Sequence, residues 1–220
     1  MIKILNIVGA RPNFMKVAPL HRAFENHPEI DSKIVHTGQH FDAKMSDVFF
    51  EQLQMPKPHY FLGIGGGSHT EVTANTMLAF EKVVLAEQPD LVLVVGDVNA
   101  TLACALVAIK LHIPVAHVEA GLRSGDRSMP EELNRILTDS VSDYLFITEK
   151  SGVDNLKREG VPDEKVFFVG IGGIGISAIA RMMFLDGKEV SGSDMADNEL
   201  TKELKELGIK ITIGQGFDLI

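Results

Sequence analysis

The sequence predicts an α/β fold in three layers, a parallel sheet with helices on both faces. Three observations carry this reading. Short runs rich in β-branched residues alternate with longer amphipathic stretches, the alternation expected of strands joined by covering helices. Polar and glycine residues follow the runs, where such sheets turn toward their ligands. The length of 220 residues suits one large α/β domain, or one domain plus a half-domain.

Taken in order, strands are predicted at Lys3–Val8, Lys33–Thr37, Leu91–Val95, Val115–Val118, Tyr144–Thr148 and Val166–Val169. Between them, helical periodicity marks Asn13–Glu25, His69–Glu87 and Thr101–Leu111. Pro12 fits a first helical turn, and Ser68-His69-Thr70-Glu71 has capping-box spacing. Tyr60-Phe61-Leu62 makes a poor strand, and Gly63–Gly67 reads as a rim loop more readily than a phosphate cradle. Past Phe167 the steps shorten: a helix over Gly175–Leu185, a strand over Glu189–Ser193, a helix over Leu200–Leu207 and a last strand at Lys210–Ile213. No Pro/Ser-rich linker precedes this point, so the strand at Val166–Val169 is expected to serve both parts. With right-handed crossovers, the last two strands extend the sheet beyond it. The expected domains are 1–168, a Rossmann-like domain, and 169–220, a short βαβαβ segment continuing the same sheet.

Composition narrows the classes. An apolar content of 45% and a charged content of 23% are those of a globular chain. The net charge of −9 argues against nucleic acid or an anionic membrane as the partner. Cys104 is the single cysteine; lying in an apolar run, it reads as a small buried residue and leaves no disulfide to form. No apolar run reaches membrane-spanning length, and the first residues are too short for a signal segment. A cytoplasmic location is expected.

At the carboxyl ends of the predicted strands the chemistry concentrates. Gly9-Ala10-Arg11-Pro12 and Lys16 put two cations beside a helix N-terminus, where free backbone N–H groups would suit a diphosphate. Thr37-Gly38-Gln39-His40 follows the second strand, Gly96-Asp97 the third and Glu119 the fourth; Pro130-Glu131-Glu132-Leu133-Asn134-Arg135 is expected on the next loop. Carboxylates converging on one edge, with cations opposite, are what abstraction of a carbon-bound proton and departure of a phosphate require. The plainer reading stays open: Asp97 and Glu119 cap helices and pair with Arg123 or Arg135. A magnesium site is a further reading that the spacing does not demand.

Taken together, Gly9–Pro12, Lys16-Val17-Ala18-Pro19-Leu20, Thr37–His40, Gly96-Asp97, His117-Val118-Glu119-Ala120-Gly121-Leu122-Arg123 and Pro130–Arg135 resemble the non-hydrolysing UDP-N-acetylglucosamine 2-epimerases, from residue 1 to about 169. The resemblance implies half of a glycosyltransferase-B architecture, with the active site in a cleft between two Rossmann-like domains. It also implies a reaction: removal of the C2 proton of UDP-GlcNAc, elimination of UDP, and its re-addition to give UDP-ManNAc, without metal or nicotinamide cofactor. By position, Asp97, Glu119 and Glu131 match the catalytic carboxylates. Arg11 and Lys16 match the phosphate contacts, with Gln39, His40 and Arg135 as further substrate-binding candidates. Ala10 and Asn13 stand where many members carry Thr and Glu. The family's second domain, with its histidine, has no counterpart in the matched residues; His40, His69 and His117 read as loop or supporting residues.

The later segment carries Gly170-Ile171-Gly172-Gly173-Ile174-Gly175, after a strand and opening a helix, with Asp194 at the end of the next strand. That context suits a dinucleotide turn, with an acid for a ribose. With Ser191-Gly192-Ser193-Asp194 it resembles instead the N-terminal segment of the Mur ligases, nearest the UDP-N-acetylmuramate–alanine ligases. The resemblance implies a UDP site at Gly172, Gly173, Ile174, Gly175 and Asp194. Alternatively these glycines serve only to pack helix against strand.

Three functions are therefore expected in competition. One is an epimerase acting on UDP-GlcNAc, impaired for want of the opposing domain. The second is a UDP or UDP-sugar binding module without turnover, and the third a hybrid chain without activity. Exposed sheet edges leave a homodimer open as the partner state.

Overall fold

The computed structural model describes residues 1–25, 27–38, 57–162, 165–169, 177, 180–181, 184–185, 190–194 and 196–214. It has the α/β three-layer fold that the sequence predicts. The chain divides into two compact units, Met1–Val118 with Gly125–Asp143, and Glu119–Ser124 with Tyr144–Ile220.

The first unit holds strands β1 (Ile2–Val8), β2 (Ile30–His36), β3 (Tyr60–Phe61), β4 (Leu91–Val95) and β5 (Val115–Val118), with helices α1 (Arg11–Phe24), α2 (His69–Glu87), α3 (Asn99–Lys110) and α4 (Pro130–Val141). Its strands run in the order β3-β2-β1-β4-β5, and each pairing is parallel. The apolar run Leu91-Val92-Leu93-Val94-Val95 is buried along its whole length, as a central strand covered on both faces must be. Leu5, Ile7, Val92 and Val94 join Phe80, Val83 and Val84 of α2 and Cys104, Ala105 and Ala108 of α3 in one core. The small side chains of α3 let it pack close to the sheet. Cys104 is fully buried there, and burial pushes its thiol pKa up.

Local chemistry sets the ends of these helices. The Glu71 N–H donates to the Ser68 hydroxyl at 3.2 Å, and the Ser68 N–H donates to the Glu71 carboxylate at 2.8 Å, the reciprocal bonding of a capping box. The helix ends at Gln88, whose φ of 50° is left-handed.

The second unit holds β6 (Tyr144–Ile147), β7 (Val166–Val169), β8 (Ser191–Asp194) and β9 (Lys210–Ile213), with helices α5 (Lys150–Arg158) and α6 (Glu199–Glu206). The order is β6-β7-β8-β9, again parallel throughout. Strand β7 thus pairs with β6 on one side and β8 on the other, and β9 lies beyond. Its core joins residues from both sides of position 168: Leu145, Ile147, Val153 and Leu156 with Ala180, Val190, Leu204 and Ile209.

Three local expectations need correction, and one helix is an addition to them. Pro130–Arg135 is not a loop but the first turns of α4, which Pro130 opens. Residues 150–158 form a helix, α5, that no expectation covered. Tyr60 and Phe61 do pair, with Val35 and His36, as a short strand. Strand β8 starts and ends later than expected, so Asp194 is its last residue. Among the described residues no helix is long and apolar enough to cross a membrane.

Candidate active site

The loop after β4 is braced by side chains from several other elements. Gly96 turns it with a φ of 70°, a conformation that suits glycine. Three successive carbonyls are then each held by a side chain from another element. The Val95 carbonyl accepts from Asn13 Nδ2 at 3.0 Å and from the Thr101 hydroxyl at 3.0 Å. The Gly96 carbonyl accepts from His117 Nε2 at 2.8 Å. The Asp97 carbonyl accepts from Asn134 Nδ2 at 2.9 Å. Asn13, Thr101, His117 and Asn134 are all buried, so these bonds form away from competing water and hold the loop firmly.

The Asp97 side chain leaves this loop and pairs with the Arg135 guanidinium. Arg135 also stands 3.6 Å from Glu132, and the other Glu132 oxygen accepts from the Gly125 N–H at 3.0 Å. Glu132 is fully buried, whereas its neighbour Glu131 is half-buried. Of the two readings of Asp97, the ion pair with Arg135 is present. It does not exclude a chemical role, because a carboxylate with a fixed orientation is what proton transfer needs. Helix α4 therefore supplies Glu131, Glu132, Asn134 and Arg135 to one region. Sequence reasoning missed Glu132, Asn134 and Asp139 because it placed the start of this segment on a loop; helical spacing from Pro130 would have grouped Glu132, Arg135 and Asp139.

At the mouth of α1, Arg11 is exposed and Lys16 half-buried. The backbone N–H groups expected to be free there are not. Those of Gly9 and Ala10 donate to Asn13 Oδ1 at 3.1 and 2.8 Å. Asn13 therefore closes the turn on itself while its amide nitrogen ties α1 to β4. A Cβ on Gly9 would meet the Thr37 hydroxyl at 3.1 Å and the Ala100 Cβ at 3.2 Å, so this turn admits no larger residue without a shift.

At the end of β2, the Gly38 N–H donates to His36 Nδ1 at 2.8 Å, with the His36 ring between Phe14 and Phe61. Burial holds the His36 pKa down to about 4, which keeps that nitrogen an acceptor. Gly38 has a φ of 104° and abuts the Ile64 backbone. The candidates Gln39 and His40 lie outside the described residues.

In the second unit, Glu119 has a φ of 70°, unusual for a residue with a side chain and a mark of local strain. It is held by backbone bonds from the Glu119 and Ala120 N–H groups to the Phe146 carbonyl, both 3.1 Å. Arg123 pairs with Glu159 through two nitrogens, at 2.8 and 2.6 Å. Asp194 accepts from the Ala196 N–H at 3.0 Å. The candidates Gly172, Gly173, Ile174 and Gly175 lie outside the described residues.

Acidic and cationic groups set at the carboxyl ends of parallel strands define the ligand edge of an α/β protein. Comparison with known proteins makes this specific. The family described as UDP-N-acetylglucosamine 2-epimerase matches residues 22–206, and the chain belongs to that family. It is 52% identical over 173 residues to the UDP-2,3-diacetamido-2,3-dideoxy-D-glucuronate 2-epimerase of Pseudomonas aeruginosa, a match covering 79% of this chain and 49% of that one. It is 52% identical over 169 residues to the UDP-N-acetylglucosamine 2-epimerase of Methanocaldococcus jannaschii, covering 77% of this chain and 46% of that one. The crystal structure of a Methanocaldococcus jannaschii UDP-GlcNAc 2-epimerase in complex with UDP-GlcNAc and UDP superposes with a TM-score of 0.72 at 35% identity, covering 98% of this chain and 74% of that one. The chain spans about half the length of these two relatives, 49% and 46%.

Proposed function

We propose that this chain provides the acid–base wall of a non-hydrolysing 2-epimerase acting on UDP-GlcNAc or a closely related UDP-sugar. A carboxylate takes the C2 proton, the C1–O bond breaks with departure of UDP, and UDP adds back after the proton returns to the opposite face. Asp97, Glu119 and Glu131 are the proton-handling groups in this reading. Arg11 and Lys16 take the diphosphate, with Gln39, His40 and Arg135 beside them. The observation that carries it is the braced Asp97 loop: three carbonyls fixed by buried side chains and the carboxylate oriented by Arg135. Such preorganisation serves chemistry better than it serves stability. Neither a metal nor a nicotinamide has a part in it.

UDP binding without turnover is the second reading, favoured by the two cations beside the mouth of α1, Arg11 exposed and Lys16 half-buried. One pair of measurements separates them. Calorimetric titration with UDP should show weak binding that falls when Arg11 and Lys16 are both replaced by Ala. Deuterium entry at C2 of UDP-GlcNAc in heavy water, lost in Asp97→Asn, establishes the epimerase reading; UDP binding with no exchange establishes the module. Absence of any UDP binding sinks both.

The finer reading of residues 169–220 is a Mur-ligase-type UDP segment joined to the epimerase half. It is supported by the strand-end position of Asp194. Asp194→Asn should then weaken UDP binding, and an unchanged affinity rejects it. We place the protein in the cytoplasm. A homodimer is part of this proposal, supported by the exposure of Leu78 and Leu85 of α2 and of Leu133 and Leu137 of α4. Sedimentation of the Leu85→Glu/Leu137→Glu variant as a monomer, against a wild-type dimer, is the expected result.

A further inference from the structure

His117 is fully buried and both of its ring nitrogens face acceptors. Nδ1 lies 2.6 Å from Asp139 Oδ1, and Nε2 lies 2.8 Å from the Gly96 carbonyl. A neutral imidazole has one N–H and one lone pair, so with a carboxylate at Asp139 it would turn a lone pair on one of these oxygens. One proton held between Nδ1 and Asp139, and one on Nε2, satisfies both contacts at these distances. Asp139 is also buried, and a buried charge of either sign is stable only when its partner is in place.

The helix that supplies Asp139 supplies the other holds on the same loop. Asn134 bonds the Asp97 carbonyl, Arg135 the Asp97 carboxylate, and Asp139 reaches the Gly96 carbonyl through His117. Arg135 and Asp139 are four residues apart and share one face of α4. Position along α4 thus sets both the backbone and the side chain of Asp97.

We infer that the His117–Asp139 pair is a buried hydrogen-bonded strut whose Nε2–H positions Asp97 through the Gly96 carbonyl. His117 is a positioning residue and touches no substrate. Its bearing on catalysis rests on the proposed role of Asp97; its hold on the loop does not.

Nitrogen-15 NMR of the wild-type chain near neutral pH should show Nε2 of His117 protonated, and an unprotonated Nε2 overturns the inference. The variant His117→Phe/Asp139→Leu removes both polar groups together and so avoids a stranded buried charge. In it, exchange of the Gly96 amide should speed up by at least about tenfold while the β1 and β2 amides stay protected. Uniform acceleration, or none, means that the pair only fills the core. Asp139→Asn should restore slow exchange at Gly96, because its amide can donate to Nδ1 and leave the proton on Nε2. Where C2 exchange is measurable, the double variant should lower its rate with UDP affinity unchanged. A wild-type chain with no C2 exchange removes the epimerase reading but leaves the NMR and amide tests decisive.

Discussion

Arg135 joins two acids: one nitrogen of its guanidinium bonds Asp97 and another stands 3.6 Å from the buried Glu132. Asp97 and Arg135 keep about a quarter of their side-chain surface in solvent, 25% and 22%, so the pair itself adds little to stability. A double-mutant cycle of Asp97→Asn and Arg135→Gln in urea should give a coupling energy of roughly 1 kcal/mol or less. The same variants should abolish C2 exchange, and a coupling of several kcal/mol would make the pair a structural element first.

Asn13 makes three bonds, accepting from Gly9 and Ala10 and donating to Val95. Asn13→Ala strands two N–H groups and loosens the link between α1 and β4. A loss of about 2–4 kcal/mol in unfolding free energy is expected, measurable by urea denaturation. Asn13→Asp should keep the two accepted bonds and lose the third.

Gly121 has a φ of 77°, and a Cβ there would lie 2.5 Å from the Gly152 carbonyl oxygen. Gly121→Ala combines left-handed strain with a backbone clash that no side-chain rotation relieves. It should cost more than about 3 kcal/mol and lower the yield of folded chain. Gly125→Ala, with a φ of 78° but open space around it, should cost only the strain of about 1 kcal/mol.

His36 makes stability depend on acidity. Burial holds its pKa near 4 against the ordinary 6.5, so the unfolded chain takes up a proton first as pH falls. The contribution is complete above pH 6.5, where neither state is charged, and is lost as pH drops toward 4. Its size is at most about 3 kcal/mol. His21 and His59, whose pKa values burial also lowers, act in the same direction. Unfolding midpoints between pH 7 and 4.5 should fall less steeply in His36→Gln, in which a side-chain oxygen can still accept from Gly38.

The strands and the long helices were legible because their signals are local. Leu91–Val95 is apolar at every position, and His69–Glu87 carries its start signal in Ser68 and Glu71. Asp97, Glu119 and Arg135 were legible as site candidates for the same reason, since each stands in a short, ordered motif. What the sequence hid was the support. Asn13 looked like a departure from pattern, whereas it closes its own turn and braces β4, 82 residues away along the chain. His117 looked like a loop residue because its partners, Gly96 and Asp139, come from distant segments. Placing Pro130–Arg135 on a loop conceals that one helix carries five polar groups of this region, Glu131, Glu132, Asn134, Arg135 and Asp139. Bonds between remote segments leave no periodicity to read.

Cys104 sits where nothing outside can reach it, fully enclosed between alanines of α3 and with its thiol held in the protonated form. A maleimide or disulfide reagent will therefore modify the chain only when that helix lifts away. With a single such group in the sequence, labelling gives one mark per opening event. The protein carries its own clock for how often its interior is breached.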